Sequence, residues 1–98
     1  MEYLPKFDLI RKPCDDDSRD VPGFEWAPAD VGKRHQLGGK PDFIQGPNWP
    51  DCNDCSKKMT FYGQLDSIGD EYMIADCGLV YVFICFDCYT STSVIQSY

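Results

Sequence analysis

Two C-x-x-C pairs constrain the fold of this chain more than any other feature of its sequence. The first pair is Cys52 and Cys55, the second is Cys85 and Cys88, and residues 56–84 lie between them. A gap of two residues lets both sulfurs of a pair face one centre, and two such pairs complete the tetrahedral four-sulfur shell of a structural zinc site. The spacing therefore predicts one structural Zn²⁺ ion, with Cys52, Cys55, Cys85 and Cys88 as its ligands.

Two other interpretations of the cysteines stay open. The chain has six cysteines, an even number that is compatible with disulfide pairing. A C-x-x-C pair can also be a redox-active dithiol, although neither pair lies in a βαβ pattern. The first residues, MEYLPK, lack the basic and apolar stretches of a signal peptide. We therefore expect a reducing, cytoplasmic location, where such pairs more often bind metal.

The composition indicates one small folded domain. A length of 98 residues allows a single domain with a modest core, which a metal ion would stabilise. The hydrophobic share of 43% and the aromatic share of 14% are typical of a globule rather than a disordered chain. No apolar run is long enough to span a membrane. The net charge of −7 repels phosphate and counts against nucleic acid as the main partner.

Residues 58–66 form the first clear strand, because apolar and polar residues alternate along them. The apolar positions are predicted to point to one face and the polar positions to the other. The apolar set is Met59, Phe61 and Leu65, and the polar set is Thr60, Tyr62, Gln64 and Asp66. We expect this strand to follow directly after the first C-x-x-C pair.

Two further strands are predicted towards the end of the chain. Residues 79–86 are apolar on both faces, which is typical of a central buried strand, and residues 90–98 alternate weakly. If 58–66 and 79–86 pair antiparallel, the start of one lies beside the end of the other, and the two C-x-x-C pairs meet. The predicted fold is mostly β, a single small antiparallel domain with two zinc knuckles, and a small α+β arrangement stays open.

The first half of the chain has no regular pattern. Residues 1–23 contain three prolines and an acidic stretch, and we predict an irregular segment. Residues 24–50 are aromatic but interrupted by Gly and Pro, which indicates extended chain and turns held by aromatic side chains. Residues 24–98 are therefore predicted as the zinc-stapled domain. Trp26 and Trp49 are predicted core residues, and the alternative is a peptide groove formed by this loop.

The remaining cysteines and the single histidine are not predicted to be functional. Cys77 borders the apolar strand and is expected to be a small buried hydrophobe. Cys14 lies among aspartates, which disfavour a thiolate, so it is not expected to be a nucleophile. His35 is expected to be exposed or packed in a loop, with a catalytic or ligand role as the alternative. The sequence contains none of the common catalytic motifs.

An ordered series of short motifs resembles the YwqG-like family, with its "GG-x-P … WP … FxxQ(I/L)" signature. The motifs are LGGKPDF at 37–43, WP at 49–50, the first C-x-x-C pair and MTFYGQLD at 59–66. The series GLVYVF at 78–83, the second C-x-x-C pair and VIQSY at 94–98 is similar to the related C-terminal domains of programmed-cell-death-protein-2. The resemblance covers residues 36–98. It implies a β-rich fold and protein binding, since the latter relatives are cytosolic chaperones for a newly made ribosomal protein.

Together these features predict a non-catalytic zinc-binding module that interacts with a protein or peptide. The acidic charge favours a basic partner, such as a ribosomal protein segment or a toxin-like domain, in a chaperone-like or immunity-like role. One alternative is an enzyme, either a thiol oxidoreductase or another small zinc enzyme, although four cysteines leave zinc no open position. A nucleic-acid-binding zinc ribbon is less favoured, because a basic stripe is missing.

Overall fold

Residues 3–10, 33–68 and 72–98 are described by a computed structural model of the chain. They form one antiparallel five-stranded sheet in which the spatial order of the strands follows the chain. The strands are β1 (Phe7–Asp8), β2 (Gln36–Leu37), β3 (Thr60–Asp66), β4 (Leu79–Cys85) and β5 (Thr90–Gln96). The prediction of a mostly β, antiparallel fold with two C-x-x-C knuckles is confirmed, and β3, β4 and β5 match the three predicted strands closely.

The boundary predicted at residue 23 lies outside the described residues and stays a prediction. Within the segment predicted as irregular, Phe7–Asp8 form the edge strand β1, which pairs with β2. The chain next to this pair is tightly packed, because the Gly39 N–H donates to the Leu4 carbonyl oxygen at 2.8 Å. A Cβ atom on Gly38 would collide with the Pro5 carbonyl oxygen, and the φ of Gly38 is 67°, so only glycine fits there.

A β-bulge interrupts β3 in its first half. Phe61 pairs with Phe83 and Gly63 pairs with Val82, so Tyr62 is an extra residue opposite an uninterrupted partner strand. A single inserted residue exchanges the two faces for every position that follows it, because side chains alternate with a period of two. The bulge therefore divides β3 into two parts. Before it, odd-numbered residues such as Phe61 face the core, and after it even-numbered residues such as Gln64 do.

The predicted facing of β3 is correct before the bulge and wrong after it. Met59 and Phe61 are buried as expected. Leu65, predicted to share their face, is 49% exposed, whereas Gln64 and Asp66, predicted on the polar side, are 1% and 3% exposed. The physical reason is the inserted Tyr62, which a pattern of alternating residues does not reveal.

The core lies on one face of the sheet, centred on β4. Leu79, Tyr81, Phe83 and Cys85 are buried there, while the alternate side chains of β4 are half-buried on the other face. The sequence predicted that both faces of this strand are buried. One face is fully buried, and the other is half-buried. The aromatic loop before β3 covers the buried face. Its contacts are Phe43 with Tyr81 at 5.1 Å and Trp49 with Phe83 at 5.4 Å between ring centroids.

Candidate metal centre

The two C-x-x-C segments adopt the same backbone turn. In the first, the Ser56 N–H donates to the Cys52 carbonyl oxygen at 2.8 Å, and in the second the Tyr89 N–H donates to the Cys85 carbonyl oxygen at 2.7 Å. Ser56 and Tyr89 each have a positive φ, of 62° and 56°, which closes the turn. Each knuckle therefore presents both of its sulfurs on the same side.

The sheet register brings the two knuckles together. Cys85 is the last residue of β4, and Thr60 at the start of β3 pairs with Ile84. The first knuckle is held against the start of β3 by an antiparallel bridge between Asp51 and Lys58. The expected antiparallel pairing of the two predicted strands is thus present, with both knuckles at one end of it.

The four predicted ligand residues converge at this end of the sheet. The sulfurs of Cys52, Cys55, Cys85 and Cys88 all lie within 4.8 Å of one another, and those of Cys55 and Cys85 are 3.7 Å apart. A tetrahedral ion with sulfur ligands at about 2.3 Å separates its ligands by about 3.8 Å. Four cysteines in this arrangement could hold a metal ion. Cys52 and Cys85 are buried, and the other two are half-buried.

A threonine that the sequence did not single out contacts this cluster. The Thr90 Oγ1 atom lies 3.4 Å from the Cys52 sulfur. Donation from this hydroxyl to the sulfur, together with backbone N–H groups of Cys55 and Asp54, lowers the pKa of Cys52 to about 6. Thr90 is the first residue of β5 and pairs with Cys85, so the β4–β5 hairpin fixes its position.

The pKa of Cys88, the last cysteine of the cluster, is shifted in the opposite direction. The neighbouring Cys55 thiol, together with burial, raises the pKa of Cys88 to about 12. Four sulfurs at this spacing do not all ionise without a cation, since thiolates repel one another. A bound divalent cation favours the thiolate at every ligand and removes that conflict.

Two exposed ion pairs surround the cluster. Lys57 Nζ lies 3.0 Å from Asp87 Oδ2 and so connects the two knuckles, and Lys58 Nζ lies 3.8 Å from Asp51 Oδ1. The hydrogen bond and the charge of Asp87 raise the pKa of Lys57. These lysines compensate part of the negative charge that aspartates and thiolates place at this end.

The histidine lies at the other end of the sheet, where β3 finishes. His35 is 9% exposed, and its Nδ1 atom accepts a hydrogen bond from the Asp66 N–H at 3.0 Å. It is therefore packed rather than exposed. With Leu65 and Asp66, it lines an open, mostly apolar pocket of about 280 Å³ that no cysteine of the cluster borders.

Cys77 and Trp49 both lie where the sequence predicted, inside or against the core. Cys77 is 2% exposed, in agreement with the prediction of a small buried side chain. Trp49 packs on the core and donates its indole N–H to the Met59 carbonyl oxygen. Cys14 and Trp26 lie outside the described residues, so the alternative of a groove between the two tryptophans stays open.

The sequence analysis missed a buried ion pair at the end of β3. Arg34 Nη2 lies 2.7 Å from Asp66 Oδ1, and Arg34 Nε donates to Asp66 Oδ2 at 2.8 Å. The side chains are only 7% and 0% exposed. Asp66 was expected on the polar face. The bulge that buries it cannot be predicted from the alternation of apolar and polar residues in the sequence.

Comparison with known proteins finds similarity to an uncharacterized bacterial protein. The chain is 38% identical over 64 residues to uncharacterized protein YpfL of Salmonella typhimurium. The matched region covers 62% of this chain and 14% of the relative, so the chain spans a small part of that protein. No protein-family model and no solved structure matches the chain. The resemblance to the YwqG-like family therefore stays a hypothesis.

No helix in the described part of the chain is both long enough and apolar enough to cross a membrane.

Proposed function

We propose that this chain is a non-catalytic protein-binding module whose fold is stabilised by one structural Zn²⁺ ion. The observation that carries the proposal is the convergence of four cysteine sulfurs within 4.8 Å, on two identical knuckles at the ends of core strands. A tetrahedral set of four thiolates suits Zn²⁺ or iron, and Zn²⁺ has no redox chemistry of its own.

A structural role for the ion follows from the donor set. Catalytic zinc keeps one position for water or substrate, whereas four cysteines occupy every position of a tetrahedral ion. His35, the histidine of the chain, packs at the opposite end of β3. The ion would join the segment before β3 to the β4–β5 turn, two regions far apart in sequence.

Elemental analysis of the purified chain tests this part of the proposal. We expect one zinc per chain, and the same stoichiometry after dialysis without added metal. A protein expressed in iron-rich medium should still take up zinc when both ions are offered. A stoichiometric yield of iron under those conditions, or of no metal at all, contradicts the assignment.

The proposed partner is a basic polypeptide. The described residues contain six Lys or Arg and seven Asp side chains, a formal charge of 6 − 7 = −1, whereas the whole chain carries −7. Most of the acidic charge therefore lies elsewhere, above all in the segment 15–30. Such a concentration of like charge attracts a basic partner and speeds its association. The resemblance to chaperone domains points the same way.

Peptide titration tests the partner class. A fluorescent lysine-rich peptide should bind the zinc-loaded protein, and an acidic peptide of equal length should not. The affinity should fall as salt rises, because the attraction is electrostatic. Equal binding of both peptides, or of neither, contradicts a basic partner while leaving the zinc assignment intact.

A thiol oxidoreductase is the second candidate, because the Cys55 and Cys85 sulfurs lie 3.7 Å apart and the Thr90 hydroxyl beside the Cys52 sulfur lowers the pKa of Cys52. A thiolate that persists at neutral pH is a requirement for thiol–disulfide exchange. Alkylation kinetics separate the two functions. A redox enzyme would show one fast-reacting thiol and reduce a disulfide substrate, whereas a structural zinc site shows fast alkylation only after chelation.

A further inference from the structure

The two edges of the sheet differ in length and charge. The edge strand β1 has two residues, one of which is Asp8, and it follows Lys6. The opposite edge strand β5 has seven residues, TSTSVIQ, with no charged residue and no proline. Within the described ranges 3–10, 33–68 and 72–98, the sheet ends at β5.

Strand β5 is also regular. All seven of its residues pair with β4, from Leu79 with Gln96 to Cys85 with Thr90, without a register shift. Proteins commonly protect long edge strands with charges, proline, a bulge or a covering element, because the unpaired N–H and C=O groups of an edge can bind another strand. Strand β5 contains no charged residue, no proline and no bulge.

We infer that β5 is a self-association edge, at which two copies of the chain pair through antiparallel β5 strands. Antiparallel pairing of two identical strands is two-fold symmetric, so the same surface serves both copies. The product is one sheet that continues across both copies. This inference does not depend on the partner proposed above, since it concerns a different part of the molecule.

Charge favours a second copy as the occupant of this edge. The charged residue nearest to β5 in sequence is Asp87, and its carboxylate already pairs with Lys57. The residues after β5 are Ser97 and Tyr98. Two copies therefore bring no like charges opposite each other along the strand.

The side chains of β5 suit symmetric pairing. With a two-fold axis at Ser93, Thr92 lies opposite Val94 of the second copy, and Ser91 lies opposite Ile95. Threonine beside a β-branched apolar residue is a favourable cross-strand neighbour. Ile95, which is 59% exposed in one chain, gains a neighbour on its open side.

Sedimentation of the full, zinc-loaded chain tests the inference. We expect the mass to rise from 11.2 kDa towards twice that value as the concentration increases from the micromolar to the millimolar range. The substitution Ser93→Lys places two like charges at the axis, and Ser93 is exposed, so the fold tolerates it. It should weaken dimerisation about tenfold or more.

The control is Asn48→Lys, which adds the same charge at an exposed position in the loop before β3. It should dimerise like the unmodified chain. A chain that stays monomeric at every concentration overturns the inference, as does a Ser93→Lys protein that dimerises normally. Equal weakening by both variants also overturns it, because the effect would then be one of net charge.

Hydrogen exchange provides a second measurement that needs no variant. Amides on the outer edge of β5 should exchange more slowly at high concentration than at low concentration, while the amides of β3 should not change. Concentration-independent exchange along β5, or protection that appears elsewhere in the sheet, contradicts pairing at this edge.

Discussion

The two ends of the central strands are both held by a cluster of charges, but in different ways. At one end, beside Thr60 and Cys85, four sulfurs converge and could hold a metal ion taken up from solution. At the other end, beside Asp66 and Leu79, the guanidinium of Arg34 is a cation that the chain itself supplies. With the proposed zinc bound, the first cluster would depend on metal supply and pH, whereas the second is present whenever the chain folds.

The arginine cluster joins four segments. The Arg34 backbone N–H and guanidinium both donate to the Asp66 carboxylate. The same side chain donates to the Cys77 carbonyl oxygen at 2.9 Å and to the Tyr98 hydroxyl at 3.2 Å. The region before β2, the end of β3, the turn before β4 and the end of the chain therefore meet at one side chain.

Removing the metal should produce the largest effect. Binding of structural zinc contributes on the order of 10 kcal/mol, comparable with the whole stability of a small domain. We expect Cys85→Ser, or a strong chelator, to abolish cooperative thermal unfolding, as measured by circular dichroism. Restored zinc should reverse the effect of the chelator.

The matched control for this experiment is Cys77→Ala, which removes a buried thiol outside the cluster. That variant should retain one zinc per chain and a cooperative unfolding transition. If Cys85→Ser lost its zinc but kept its cooperative unfolding transition, the arginine end would hold the fold alone and the comparison would fail.

Removing the chain's own cation should have the next largest effect. The substitution Arg34→Met leaves the Asp66 carboxylate buried without its partner, which costs about 3–5 kcal/mol. Urea unfolding of the zinc-loaded protein measures the loss, and zinc content should not change. The control Lys33→Met removes an exposed positive charge next to it and should change stability little.

The double variant Arg34→Met with Asp66→Asn shows whether the unpaired charge causes this loss of stability. Asparagine removes the charge at position 66 but keeps a side-chain oxygen that can accept from the backbone N–H group of residue 34 or of Ser67. Because no unpaired charge is then left buried, much of the lost stability should return. If the double variant were less stable than Arg34→Met by the full cost of a second defect, packing of Arg34 rather than its charge would be responsible.

The two ends also differ in how far sequence could predict them. The cysteine cluster follows from a local spacing that forces each sulfur pair to one side, and from the order of two strands. The arginine cluster depends on the bulge at Tyr62, which moves Asp66 to the buried face. Alternation of apolar and polar residues is uninformative there, because Gln64 and Asp66 are polar and yet buried.

A smaller effect is expected from the hydroxyl that supports the sulfur cluster. The substitution Thr90→Val removes the donor to Cys52, and loss of such a group weakens metal binding about 10–100-fold. Competition with a zinc-binding dye measures the affinity. The control Thr92→Val, at the next position on the same face of β5, should bind zinc normally.

The substitution Thr90→Val should also change the pH at which zinc is released. Without the Thr90 hydroxyl, the pKa of Cys52 should rise from about 6 towards the ordinary value of 9.0. Protons then compete better for that sulfur, because metal binds the thiolate. Zinc release on acidification should therefore shift to higher pH in Thr90→Val. An unchanged release midpoint would assign Thr90 a packing role only.

The smallest effect is expected for the exposed ion pair that connects the knuckles. Lys57 and Asp87 are 68% and 63% exposed at the side chain, so water and salt screen their attraction. Lys57→Ala should cost less than about 1 kcal/mol, and a double-mutant cycle with Asp87→Ala measures the coupling directly. This pair joins a cation to an Asp carboxylate as Arg34 does with Asp66, but it is exposed and has one contact, whereas the guanidinium contacts both oxygens of a buried carboxylate. A coupling above about 1 kcal/mol that persists in high salt would contradict this prediction, because salt screens an exposed pair.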